Sequence, residues 1–158
     1  MTDEQRPCSS AEARQFDFWL GEWQLSWPAE QAGGEPGERQ TGTNRITRMF
    51  DDCVIEENFA TDDERFRGHS VSVYDEKAKC WRQTWVDSSG GYLVFTGNYD
   101  GETMELRTTP EERAHETVVQ RMVFSDITDD SLEWSWQGSR DGGDTWNDLW
   151  NISYQRDR

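Results

Sequence analysis

The chain has 158 residues, of which 16 are Lys or Arg and 32 are Asp or Glu, so its formal net charge is -16. This length predicts one domain, and the acidic balance argues against nucleic-acid or anionic-membrane partners, because both are polyanions. No apolar run approaches the roughly 20 residues that a membrane-spanning helix needs. The first residues carry no apolar signal-peptide core, so we expect a cytoplasmic protein, monomeric or homodimeric.

Aliphatic residues are few for a folded chain, but nine tryptophans and four tyrosines supply apolar surface instead. Aromatic side chains bury large areas, so we expect a core built around tryptophan rather than a disordered chain. Cys8, Cys53 and Cys80 form no C-x-x-C motif. Three free thiols are therefore expected in a reducing compartment, with a Cys53–Cys80 disulfide as the alternative.

The first predicted element is a short helix. Ser9 and Ser10 are N-cap candidates, Glu12 follows Ser9 at capping-box spacing, and Gly21 is expected to end the helix. Between them lies an apolar stripe at helical spacing, made of Phe16, Trp19, Leu20 and Trp23.

From Gly21 onward the apolar pattern has a period of two, which indicates strands separated by turns. A Gly- and Pro-rich exposed loop is expected at 28–42. Strands are predicted near 22–28, 42–50, 53–61, 67–75, 79–87, 91–99, 102–108, 116–125, 131–138 and 146–155. About ten short strands in a small domain need closure to remove their edges, so we predict an all-β, antiparallel up-and-down barrel with one short N-terminal helix. Residues 9–158 would form it, after a disordered or loosely attached segment 1–8.

The segment FDFWLGEWQLSW (16–27) runs from the predicted helix into the first strand through Gly-x-Trp. It resembles the N-terminal signature of lipocalins and the wider calycin group. The resemblance implies that Gly21 permits the sharp entry into the strand and that Trp23 plugs the bottom of a lipocalin-like barrel. It also implies that an Arg of the last strand, here Arg156, packs across that Trp in a cation–π contact.

A longer pattern covers nearly the whole chain. It consists of FDFWLGEW, GHSVSVYD (68–75), WRQTWVD (81–87), WQGSRDGGDTW (136–146) and a final Tyr-x-Arg. This pattern resembles a family of small bacterial proteins of unknown function, DUF1579, which is grouped with calycin-like barrels. The resemblance spans residues 16–156 and implies a fold, but it implies no reaction.

The segment SRDGGDTW (139–146) matches the Asp-box pattern of a β-hairpin turn. In such a turn Asp141 and Thr145 satisfy backbone groups, Gly143 supplies a positive φ, and Trp146 packs beneath. Sialidase propellers repeat this motif, but a single copy in a short chain predicts a structural hairpin and not sialidase activity.

Four polar residues lie on strand faces that are otherwise apolar: Glu56, His69, Gln83 and Arg121. A buried polar group needs a partner in the protein or in a ligand. His69 is interpreted as a structural or ligand-contacting residue. No cofactor is predicted; the alternative is that His69 ligates haem, as a His does in the β-barrel nitrobindins. Glu56 is interpreted as the ion-pair partner of Arg121 or as a general base. Both faces of strand 116–125 carry apolar residues, so the sequence does not decide which of them points inward. No metal site is predicted.

These observations predict a cavity inside the barrel that binds a small apolar or aromatic molecule. Its expected lining is Trp81, Trp85, Trp134 and Trp136 together with Glu56, His69, Gln83 and Arg121. Two alternatives remain: a filled-barrel structural or interaction protein, and an enzyme that uses Glu56 or His69 in the same cavity. Catalytic residues are not assigned.

Overall fold

The computed structural model describes residues 6–158, and its main feature is a closed barrel of ten antiparallel strands. The described residues form eleven strands, of which all but β8 belong to the barrel: β1 (Gly21–Pro28), β2 (Arg39–Met49), β3 (Val54–Thr61), β4 (Arg67–Asp75), β5 (Cys80–Asp87), β6 (Tyr92–Tyr99), β7 (Met104–Arg107), β8 (Glu111–Arg113), β9 (Glu116–Ser125), β10 (Ser131–Ser139) and β11 (Asn147–Arg156). Each barrel strand pairs with the next along the chain, β7 pairs with β9, and β11 closes the ring onto β1. The short β8 extends β9 outside the ring. The predicted up-and-down barrel is confirmed.

The N-terminal helical segment consists of two 3-10 turns, Glu12–Arg14 and Asp17–Trp19. Ser10 caps the first turn, since its Oγ accepts a hydrogen bond from the backbone N–H of Ala13 at 3.2 Å. A 3-10 helix brings residues three apart onto one side, which is the spacing of the buried pair Phe16 and Trp19. No helix within residues 6–158 is long and apolar enough to cross a membrane.

The loop predicted at 28–42 is shorter than expected. Pairing between β1 and β2 continues to Pro28 and Arg39, and a 3-10 turn at Ala29–Ala32 folds the connection back. Ala29 is buried, so part of this Gly- and Pro-rich segment packs on the barrel instead of extending into solvent.

A disulfide joins Cys8 to Cys53, with a Cα–Cα distance of 5.1 Å, and Cys80 is free. The expectation of three free thiols, or of a Cys53–Cys80 bond, is therefore wrong, because the segment before the barrel folds back onto the β2–β3 turn. The bond attaches Cys8 to the β2–β3 turn. Residues 1–5 lie outside the described part of the chain.

Aromatic side chains close one end of the barrel. The ring of Phe16 lies 5.0 Å from that of Trp81 and 5.3 Å from that of Phe124, in both cases edge to face. Trp19 packs 5.1 Å from Phe124. Offset and edge-to-face contacts of this kind add to the stabilisation that comes from burying the rings. The 3-10 segment therefore forms the floor of the barrel.

Arg156 fastens this floor to the barrel wall. Its guanidinium carbon lies 4.1 Å from the ring centroid of Trp23, and its Nη1 and Nη2 donate to the carbonyl oxygens of Leu20 (2.6 Å) and Phe18 (3.2 Å). Gly21 has a φ of +122°, and a Cβ there would lie 2.5 Å from Arg156 Nη1. The Gly-x-Trp segment and the last strand thus meet as the lipocalin resemblance implies.

Candidate ligand-binding site

The inside of the barrel contains a cavity of about 190 Å³ above the aromatic floor. Alternation along the strands directs its lining side chains inward. The lining is mostly aromatic, made of Trp19, Phe59, Phe66, Trp85, Phe95, Phe124, Trp134, Trp136 and Trp150. Leu93, Met122 and Ile152 complete the apolar wall, and among the described residues Glu57 and Asp87 are the only ionisable side chains that line it.

The rings at the open end meet mostly at steep angles. Trp150 stands at 88° to Trp134 and at 80° to Phe59, with centroid distances of 6.0 and 5.7 Å. Trp134 and Trp136 stack in parallel at 6.5 Å. Trp136, Trp150 and Phe66 also border a wider cleft of about 530 Å³, so the cavity and the cleft share these three side chains.

Glu57 is the polar group inside this cavity, and its side chain is buried. Its two carboxyl oxygens accept hydrogen bonds of 2.7 Å from Asn44 Nδ2 and Ser70 Oγ. Asn44 Nδ2 also donates to the hydroxyl oxygen of Tyr154 at 2.9 Å. Within residues 6–158, no Lys, Arg or His side chain forms an ion pair or hydrogen bond with Glu57.

Burial raises the pKa of Glu57 above its ordinary value, and the hydrogen bonds from Ser70 and Asn44 only partly oppose this effect. The pKa of Tyr154 is also raised, first by burial and then by the nearby Glu57 carboxyl. Burial therefore makes ionisation of both groups less favourable than it is in water.

Asp87 lies at another point of the cavity wall, where β5 ends. Its Oδ2 accepts from Trp85 Nε1 at 2.9 Å, and its Oδ1 accepts from the backbone N–H groups of Ser89 and Gly91 at 2.9 and 3.0 Å. Burial raises the pKa of Asp87, but the hydrogen bonds from Ser89, Trp85 and Gly91 outweigh it and hold this pKa below its ordinary value. Asp87 thus orients the indole of Trp85 and keeps a negative charge beside the cavity.

Three of the residues expected in the cavity line it: Trp85, Trp134 and Trp136. Trp81 and Gln83 also point inward, but they are buried outside the cavity lining. Trp81 Nε1 donates to Gln15 Oε1 at 3.1 Å, and Gln83 Nε2 donates to Ser72 Oγ at 2.9 Å.

Glu56 and His69 do not face the cavity, which corrects the prediction made for them. The register of β3 turns Ile55, Glu57 and Phe59 inward, so Glu56 lies on the outer face. His69 is on the outer face of β4, with Nδ1 3.1 Å from Asn58 Oδ1. A haem ligand at His69 inside the barrel is therefore excluded by position. No cluster of three metal-ligating side chains occurs in the described part of the chain.

Arg121 also lies outside the barrel, because Met122 and Phe124 are the inward residues of β9. Its Nε donates to Gln137 Oε1 at 2.6 Å, and its Nη1 pairs with Glu105 at 3.3 Å. It therefore forms no ion pair with Glu56 and does not line the cavity.

The Asp-box segment forms the turn between β10 and β11. Asp141 accepts hydrogen bonds from the Thr145 hydroxyl (2.5 Å), from the backbone N–H of Thr145 (2.8 Å) and from Ser139 Oγ (2.7 Å), and these bonds lower its pKa to about 2. Gly143 has a φ of 100°. Trp146 packs on the outer surface, with the Arg121 guanidinium 4.0 Å from its ring centroid. None of these residues lines the cavity.

The polar group Asn44, Glu57, Ser70 and Tyr154 was missed in the sequence. The signal was present for Glu57, because it shares strand parity with Ile55 and Phe59. For Ser70 the apolar pattern of β4 pointed the wrong way, because Val71 and Val73 face outward and the inward positions carry Gly68, Ser70 and Ser72. The usual assignment of the apolar face to the interior therefore fails for this strand.

Comparison with known proteins gives a family but no activity. Residues 9–156 match the family described as "Protein of unknown function (DUF1579)". Among solved structures, the chain is similar to a protein of unknown function from the DUF3598 family of Nostoc punctiforme. The match covers 94% of this chain and 100% of that chain, with 8% sequence identity and a TM-score of 0.28. No curated protein matches the chain.

Proposed function

The chain belongs to the DUF1579 family of proteins of unknown function, and we propose that it binds a small apolar or aromatic molecule inside its barrel. One observation carries this proposal: a cavity of about 190 Å³ that is lined by nine aromatic side chains and shares three of them with an adjoining cleft. Ligand sites in proteins are mainly apolar and aromatic, with a few polar groups that set orientation. Glu57 and Asp87 would be the polar groups that orient the ligand in this cavity.

The volume limits the ligand to a small molecule. An apolar cavity of about 150 Å³ is known to hold benzene, so a cavity of 190 Å³ suits a molecule with one or two rings. The cleft that Phe66, Trp136 and Trp150 share with the cavity offers a route of entry.

The alternatives now carry less support. A completely filled barrel disagrees with the cavity, and an enzyme that uses Glu56 or His69 inside the barrel disagrees with their position on the outer face. The cytoplasmic location predicted from the sequence stays a prediction, and the Cys8–Cys53 disulfide favours an oxidising compartment instead.

Saturation-transfer NMR with toluene and indole tests the proposal. We expect transfer from the native protein to both probes, and its loss in Leu93→Trp, which places a large ring in the cavity wall. Val94→Trp is the matched control, because Val94 is the next residue of β6 and its side chain is on the outer face, 44% exposed. Circular dichroism verifies that both variants fold. The proposal fails if the native protein gives no transfer, or if Leu93→Trp binds as well as Val94→Trp.

A further inference from the structure

Resting on the proposed function, we propose that the cavity selects an organic cation: a primary or secondary ammonium group attached to a small aromatic or aliphatic body. The ammonium would donate to the Glu57 carboxylate, while aromatic faces surround the rest of the ligand. The inference combines three observations on the same cavity: a carboxyl group without a basic partner, an aromatic enclosure, and a lining without positive charge.

The first observation is the unpaired carboxyl group. Glu57 is only 6% exposed, and its hydrogen-bond donors, Asn44 and Ser70, are both neutral. Each carboxylate oxygen has more than one lone pair, so each retains capacity to accept a further donor. Buried carboxylates are normally paired with a cation, and an ammonium in the cavity would supply the cation that the described chain does not provide.

The second observation is the aromatic enclosure. Trp150 stands nearly perpendicular to both Trp134 and Phe59, so these rings form adjoining walls of a box rather than a flat stack. Cations are attracted to the faces of aromatic rings, and enclosures of this kind are used to recognise ammonium ligands. A carboxylate within the same enclosure adds a directional hydrogen bond for an ammonium that carries N–H groups.

The third observation is the charge of the lining. The two ionisable side chains of the cavity, Glu57 and Asp87, are both acidic. In the adjoining cleft Asp63 and Arg65 balance each other, and the whole chain carries a formal charge of -16. This distribution attracts cations and repels organic anions.

One feature favours a neutral ligand instead. The buried Nε1 of Trp150 has no hydrogen-bond partner among the described residues, and an indole N–H can only donate. A neutral molecule with a hydroxyl oxygen would accept a hydrogen bond from this donor. Its binding would not require Glu57 to ionise. A neutral isostere of the amine must therefore be part of the test.

Binding of an ammonium is expected to release a proton. Burial raises the pKa of Glu57, so at a pH where free Glu57 is protonated, formation of the carboxylate–ammonium pair sends the Glu57 proton to the buffer. The groups around Glu57 are Asn44 and Ser70, which do not titrate, and Tyr154. Asp87 is the other acid of the cavity. Affinity for the amine should therefore rise with pH until Glu57 is ionised in the free protein.

Isothermal titration calorimetry with three ligands of nearly equal shape tests the inference: benzylamine, benzyl alcohol and benzoate. At neutral pH we expect benzylamine to bind at least about tenfold more tightly than benzyl alcohol, which corresponds to about 1.4 kcal/mol, and benzoate to bind most weakly. Glu57→Gln should remove the preference for the amine and keep binding of the alcohol. Glu56→Gln, which removes the neighbouring carboxylate on the outer face, should keep the preference.

Repeating the benzylamine titration with the native protein in buffers of different ionisation enthalpy measures the released proton without any variant. Equal or tighter binding of benzyl alcohol overturns the inference and leaves the proposed function intact. A preference for benzylamine that survives in Glu57→Gln also overturns it, and so does binding without proton release at a pH where free Glu57 is protonated. Failure of these ligands together with toluene and indole overturns both proposals.

Discussion

Replacing Glu57 by Gln is expected to increase the free energy of unfolding at neutral pH. The carboxyl group is buried among apolar rings, and burial raises its pKa in the folded state. Gln has nearly the same shape, can accept from Asn44 Nδ2, and can donate to Ser70 Oγ, because a hydroxyl oxygen also accepts. The substitution thus removes an unfavourable ionisation and keeps both hydrogen bonds.

The magnitude follows from linkage between protonation and folding. Below the ordinary carboxyl pKa of 4.5, Glu57 is protonated in the folded and the unfolded chain, and its ionisation costs nothing. Above that value the unfolded chain loses the proton first, so Glu57 destabilises the fold by about 1.4 kcal/mol for each pH unit. This loss continues up to the raised pKa of the folded state and is then constant. Glu57→Gln does not lose stability in this way, because an amide does not ionise.

Denaturant unfolding followed by tryptophan fluorescence, over a series from about pH 4.5 to about pH 8, measures the effect. We expect the stability difference between Glu57→Gln and the native protein to grow with pH, with a slope up to about 1.4 kcal/mol per unit. Glu56→Gln controls for the loss of one acidic charge and should stay within about 0.5 kcal/mol of the native protein. A difference that does not change with pH would refute the reasoning.

Two further predictions concern the floor of the barrel and the N-terminal segment. Gly21→Ala should lower the free energy of unfolding by about 1–3 kcal/mol through backbone strain alone. The contact between the new Cβ and Arg156 Nη1 should add a further loss. Gly101→Ala has a similar φ of +102° in open space, so an equal loss in both variants in urea unfolding would contradict a role for Arg156. Cys53→Ser should cost about 4 kcal/mol, as the chain-entropy relation gives for a disulfide that closes a separation of 45 residues. Thiol titration of the unfolded, unreduced chain should find only Cys80, and three reactive thiols would show that the disulfide is absent.

Much of the fold could be predicted, because the information is local. Strands of period two are separated by turns rich in Gly, Asp and Ser, and each barrel strand pairs with the next one in the chain. Such neighbouring pairs need no long-range information except the closure of β11 onto β1. The contact of Arg156 with Trp23 followed from a resemblance between families rather than from the pattern itself.

The candidate site could be predicted only in part. Trp85, Trp134 and Trp136 were found because they share strand parity with other large apolar residues. Arg121 was misplaced because β9 carries apolar residues on both faces, and His69 was misplaced because the apolar residues Val71 and Val73 of β4 face outward. Glu56 was chosen over Glu57, although a one-residue step along a strand moves a side chain from the interior to solvent.

The sequence by itself determined the element order, the antiparallel closure and the aromatic character of the interior, because turn chemistry and side-chain alternation act over a few residues. Only the tertiary structure decided which residues share the cavity. Asn44, Glu57 and Tyr154 meet from β2, β3 and β11, and the curvature of the closed sheet sets that meeting. The pairing of Cys8 with Cys53 likewise depends on how the N-terminal segment packs against the finished barrel. Burial of Glu57 without a basic partner is a property of that assembly, and no single strand encodes it.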